Sequence, residues 1–96
     1  MSLYFVEHTH TAETCPTQKP DMMRMLGDHV THATADKFGI RILSDIVFPG
    51  EHRMNLVVEA PARENVDQYV QPFAMAGKVE VKEVTTCEQV VASANC

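Results

Sequence analysis

Near its start the chain sets two histidines two residues apart, His8 and His10, and follows them with Glu13 and Cys15 in the stretch VEHTHTAETCP from Val6 to Pro16. On an extended backbone alternate side chains leave the same face, so the two imidazoles can converge on one ion. Glu13 and Cys15 repeat the two-residue spacing and add a carboxylate and a thiolate. Imidazole and sulfur donors of this kind suit zinc, nickel or copper. The expected metal set is therefore His8, His10, Glu13 and Cys15, with Ni or Zn as the ion. The same residues also suit proton transfer, because histidine titrates near neutral pH and can act as a general base. A carboxylate would then orient the ring. Glu7 and Glu59 are the better partners, since both lie in otherwise apolar strands, and Asp45 is a third. Their plain alternative is an ion pair to Arg41 or Arg53 across a sheet.

This gives His8, His10, Glu7 and Glu59 as catalytic candidates. Tyr4, Glu7, His8, Asp45, Glu59 and Tyr69 are the expected lining of a small-ligand pocket, although both tyrosines also serve as core aromatics. His29 and His32 lie three apart on an expected helix and share a face. Their plain reading is as surface histidines. His52 sits in an expected hairpin turn between Glu51 and Arg53 and reads as solvated. Cys15 has a second reading as a small buried apolar residue, and the six methionines read as core filling. The terminal Cys96 is expected to be disordered. There is no GxSxG, CxxC or phosphate loop, so covalent catalysis and nucleotide use are not expected.

The rest of the composition limits what these residues can belong to. At 96 residues and a net charge of −5, with eight scattered Lys and Arg, the chain carries no basic stripe for nucleic acid. Its apolar runs are too short for a membrane span. The opening Met-Ser-Leu-Tyr-Phe-Val-Glu has no basic region ahead of its apolar residues, so a secretory signal is not expected. Three cysteines without CxxC spacing then read as free thiols, which implies a cytoplasmic protein.

These side chains must be positioned by a small set of elements. Leu3 to His8 reads as a first strand and is followed by a polar loop to Lys19. Pro20 opens a helix to about Lys37, with Met22, Leu26, Val30 and Ala33 as its apolar stripe and Gly39 as its stop. Ile40 to Phe48 and Arg53 to Ala60 form a hairpin around Pro49 to His52. Val66, Tyr69, Val70 and Phe73 give a second helix its buried face, and Pro72 must bend or end it. Val79, Val81 and Val84 mark the last strand, and Thr85 or Thr86 caps a short terminal helix through Val91. The order β-α-β-β-α-β over a single domain, 1–96, predicts an α+β, ferredoxin-like fold: a four-stranded antiparallel sheet with two helices on one face. Strands one and three are apolar on both faces, so a second copy is expected to cover the open side, giving a homodimer.

The strings LYFVEH, NLVVEAPARENVDQYVQPF and GKVEVKEV, and above all Val57-Val58-Glu59-Ala60 running into Pro61, resemble small bacterial proteins of the dimeric α+β barrel superfamily. Some relatives of that kind bind a transition metal such as nickel. Others are cofactor-free oxygenases, cyclases or accessory proteins of secondary metabolism. The resemblance implies a dimeric domain that binds a small ligand or a transition-metal ion. Its alternatives are a cofactor-free enzyme acting by proton transfer, cyclisation or oxygenation on a small hydrophobic metabolite, and an accessory protein of a biosynthetic pathway.

Overall fold

The computed structural model describes residues 1–94, so the expectation for Cys96 lies outside the described residues. Four strands, β1 (Ser2–Thr9), β2 (Arg41–Phe48), β3 (Arg53–Ala60) and β4 (Lys78–Val84), form one antiparallel sheet in the order β2-β3-β1-β4. The helical segments are α1 (Pro20–His29), α2 (His32–Lys37), α3 (Arg63–Tyr69), α4 (Gln71–Ala74) and α5 (Cys87–Ser93). The fold is the ferredoxin-like α+β arrangement that the order of elements predicts.

Strand parity divides the sheet. Tyr4, Val6 and His8 of β1 are buried, as are Leu56, Val58 and Ala60 of β3. Leu26, Ala35, Val66, Tyr69, Val70 and Phe73 from the helical segments complete this core with Ile40 and Ile42. The odd positions of β1, Leu3, Phe5, Glu7 and Thr9, pair with Glu59, Val57, Asn55 and Arg53 on the opposite, open face.

Two expected helices are each broken in two. The first divides at Val30–Thr31, where Thr31 leaves the helix and caps the next one. Its hydroxyl accepts from the Thr34 N–H at 3.3 Å and donates to the Asp28 carbonyl at 2.8 Å. A threonine that satisfies backbone groups locally competes with a continuous helix. The break resets the helical phase, so Ala33 is exposed and Ala35, rather than Ala33, enters the core. The second divides before Pro72, which sits in the first turn of α4, where its missing N–H costs nothing. The hairpin turn carries Gly50 at φ +79° and His52 at φ +54°. At the far end, Thr86 caps α5 by accepting from the Gln89 N–H at 3.1 Å.

Candidate functional site

The end of β1 and the turn between β2 and β3 are held together by pairing. Thr9 lies opposite Arg53, and the His10 N–H donates to the His52 carbonyl at 3.0 Å, so the ladder runs one residue beyond the strand. That register sets His10 beside His52, with ring centroids 5.1 Å apart, while His8 stands 5.2 Å behind His10. The two rings stand side by side on one face, as the spacing predicts.

The loop after β1 is ordered by its own polar side chains. Thr11 and Thr14 exchange hydrogen bonds, with Thr11 N–H to Thr14 Oγ1 at 3.1 Å and Thr14 N–H to Thr11 Oγ1 at 3.2 Å. Gln18 Nε2 donates to the Ala12 carbonyl at 3.0 Å. This small knot turns Cys15 inward, where it is buried with Sγ 2.9 Å from Thr17 Oγ1. The donor atoms of His10, Cys15 and His52 all lie within 4.8 Å of one another.

A cavity of ≈ 430 Å³ opens between the sheet and α1, with this cluster at one end. Leu26, Val30, Met54 and Phe73 are among its apolar walls, and His8, His10, Cys15 and His52 face it. Its size is that of a small-molecule site. His8 is 3% exposed, packed against Phe73 at 5.7 Å between ring centroids. Its Nε2 finds no hydrogen-bond partner among the described residues, nor does either ring nitrogen of His10. Burial, and then the adjacent His10 imidazole, lower the His8 pKa below the ordinary histidine value, with an opposing pull from the Phe73 main chain. His10 is lowered in the same way by burial and by His52. Neutral rings with free nitrogens can accept or donate a hydrogen bond or hold a metal. Gly77 makes the close packing behind them possible: a Cβ there would lie 2.3 Å from the Thr9 carbonyl oxygen and 3.1 Å from His8 Nε2.

Several expected site residues lie elsewhere. Glu13 is exposed in the loop and outside the cluster, where His52 takes its place, and His8 stands behind the triad rather than in it. His52 is half-buried in the cavity wall rather than solvated, because the β1–β3 register folds its turn onto the strand end. Glu7 faces the open side of the sheet, opposite in parity to His8. With the Asn55 amide oriented to satisfy its neighbours, Asn55 Nδ2 donates to Glu7 Oε2 at 3.2 Å. Glu59 shares that open face and pairs with Arg41 at 3.5 Å, the plain reading. Asp45 is exposed on β2, and Tyr4 is in the core.

Tyr69 is also a core residue, and it corrects the reading of His29 as a surface histidine. The two rings stack at 4.5 Å and 17°. The Tyr69 hydroxyl donates to the His29 carbonyl at 2.9 Å, and His29 Nε2 donates back to the Tyr69 carbonyl. Burial pushes the Tyr69 pKa up to about 12. This reciprocal pair pins α1 to α3. His32, by contrast, is exposed, as expected.

The fold and its cavity define a ferredoxin-like α+β domain with a small-molecule-sized pocket between sheet and helices. A solved structure described as "Crystal structure of antibiotic biosynthesis monooxygenase" superposes on 90% of this chain and 98% of its own, with a TM-score of 0.52 and 13% sequence identity. No family model and no curated protein matches the sequence. At this identity the likeness establishes the shared fold. Among the described residues, no helix is long and apolar enough to cross a membrane.

Proposed function

We propose that this domain binds a small, mainly apolar molecule between sheet and α1, with one polar group of that molecule directed at His8 and His10. The observation that carries the reading is the ≈ 430 Å³ cavity with His8 and His10 in its lining, beside buried imidazole nitrogens that no described residue satisfies and that a ring rotation would turn toward a ligand. A buried polar atom without a partner costs about 1–3 kcal/mol, and a hydroxyl or carbonyl on the bound molecule removes that cost. Oxygenation, the activity in the description of the similar structure, is the catalytic form of this reading. Dioxygen would then be the co-substrate: a bound phenol would gain one oxygen atom at a ring carbon and leave as the quinone, the other oxygen atom would leave as water, and His8 would lie beside the phenol hydroxyl.

The test is a ligand-observed NMR screen of flat one- and two-ring phenols and naphthols, followed by oxygen-electrode assays of the hits. Binding that Gly27→Leu weakens more than tenfold supports the pocket. A panel in which that substitution changes no binding refutes it. Oxygen uptake with a pocket-bound hit, lost in His8→Phe, would extend the reading to catalysis.

The open face supports a second copy as partner. Leu3, Phe5 and Val57 occupy its middle, with Ile46 48% exposed beside them on β2. A homodimer of twice 10.7 kDa is expected by light scattering, and Phe5→Asp should reduce it to single chains. A wild-type protein that scatters as one chain at micromolar concentration ends the dimer proposal.

A further inference from the structure

We propose that His10, Cys15 and His52 form a three-ligand centre for a divalent transition-metal ion of the zinc type, bordering the cavity. The site differs from the one the local spacing suggests. Its ligands come from a strand end, a loop and a hairpin turn: the β1–β3 register sets His10 beside His52, and the hydrogen-bonded loop adds Cys15.

Three observations carry it. First, the donor atoms lie within 4.8 Å of one another. Zn–N bonds of about 2.0–2.1 Å and Zn–S bonds of about 2.3 Å place tetrahedral ligands roughly 3.3–3.6 Å apart. Closing the remaining gap, about 1.2–1.5 Å at most, takes side-chain rotations in a loop and a turn. Second, both ring nitrogens of His10 are buried and find no hydrogen-bond partner among the described residues. A metal bond satisfies one of them. Third, His52 holds its position with a left-handed backbone, φ +54°, which non-glycine residues seldom adopt. Strain of that kind persists where the surroundings demand it.

The donor chemistry is selective. Two imidazoles and one thiolate suit zinc, cobalt, nickel and copper, and disfavour magnesium and calcium, which take oxygen ligands. Three protein ligands leave a fourth position for water or for a donor atom of a bound molecule, the pattern of catalytic zinc sites. Thr17 Oγ1, 2.9 Å from Cys15 Sγ, can donate to the thiolate and hold its orientation.

Cobalt(II) is the probe, added alone to tag-free protein that has been stripped with chelator and kept reduced. The result does not depend on any small molecule in the cavity. One Co²⁺ per chain is expected, with the near-ultraviolet thiolate-to-cobalt band and the intense visible bands of a tetrahedral site. Cys15→Ser should remove the thiolate band. His52→Asn should weaken binding at least tenfold, while asparagine keeps the left-handed backbone tolerable. His32→Asn, at an exposed histidine, should bind as wild type does. Far-ultraviolet circular dichroism of each metal-free variant shows whether it is folded, and Zn²⁺ displacement of Co²⁺ repeats the ranking. A band that survives Cys15→Ser comes from Cys87 or Cys96 and overturns the assignment. So does a folded His52→Asn variant with wild-type affinity, or a Glu13→Ala variant that loses binding as fully as Cys15→Ser.

Discussion

Gly27 lies inside α1 and lines the cavity, where a Cβ built on it meets no atom within 4 Å. Glycine inside a helix is less favourable than alanine by about 0.8–1.0 kcal/mol, because the unfolded chain loses more conformational freedom. Nothing steric offsets that gain here. Gly27→Ala should therefore stabilise the protein by about 0.5–1 kcal/mol, which for a domain of this length is about 3–6 °C in melting temperature. Gly27→Leu should keep most of that gain, since leucine is also a good helix former, but its side chain projects into the cavity. A ligand denied roughly 60–80 Å² of apolar contact loses about 1.5–2 kcal/mol, which is more than tenfold in Kd. Thermal melts of the three proteins and titration calorimetry with the best NMR hit give both numbers. The opposed signs are the informative part: stability rises while binding falls. A Gly27→Leu protein that melts at or above wild type and binds the hit equally well would show that the cavity is not the site. A Gly27→Ala protein that melts lower would show that the helix backbone or the open space beside it is wrongly placed.

Three further substitutions or conditions probe the surroundings of the site. Gly77→Ala forces a Cβ to within 2.3 Å of a backbone oxygen; it should cost about 2–3 kcal/mol by urea denaturation, and a loss under about 0.5 kcal/mol would contradict the close approach. Metal-free protein should lose stability as pH falls below about 6.5, because the unfolded chain then takes up protons that His8 and His10 resist in the folded state. For buried His8 the slope is at most about 1.4 kcal/mol per pH unit, and His8→Gln with His10→Gln should flatten the urea midpoint between pH 7.5 and 5.5; an unchanged slope in the double variant assigns the effect elsewhere. Tyr69→Phe removes the donor to the His29 carbonyl and should cost about 1–2 kcal/mol without changing cobalt affinity, and a loss of cobalt binding there would tie the helix clamp to the metal cluster.

The order of elements is legible in the sequence because each physical signal is local. A dense apolar run marks β1, alternating apolar residues mark β3, Pro20 marks a helix start, Pro72 a break in the second helix, and Gly39 a stop. His8 and His10 share a face for the same reason, since the period of a strand is two. What the pattern misses is set by tertiary register or by competing caps. His52 looks like a solvated turn residue until β1 and β3 are aligned with Thr9 opposite Arg53, and only then does it face His10. Grouping Glu7 with His8 goes against strand parity, which sends adjacent side chains to opposite faces. The exposed Ala33 follows from Thr31, whose hydroxyl ends one helix and begins another.

The five histidines separate structural from functional roles by how their polar atoms are satisfied. His29 is half-buried, stacked on Tyr69 and bonded to it from both sides. Its environment completes it, so its role is to hold α1 against α3. His32 is exposed, and water completes it. His8 Nε2 and both ring nitrogens of His10 are buried but find no partner among the described residues. Close by lie a left-handed non-glycine residue, His52, and an interior helix glycine, Gly27. Each of these choices costs stability, about 1 kcal/mol or more apiece, and a small domain has little to spare. Evenly scattered, they would read as ordinary imperfection. These four border one cavity, whereas the other left-handed non-glycine residue among the described residues, Ala94, follows α5. A bound molecule or ion is the agent that could satisfy the nitrogens and fill the space beside Gly27 together.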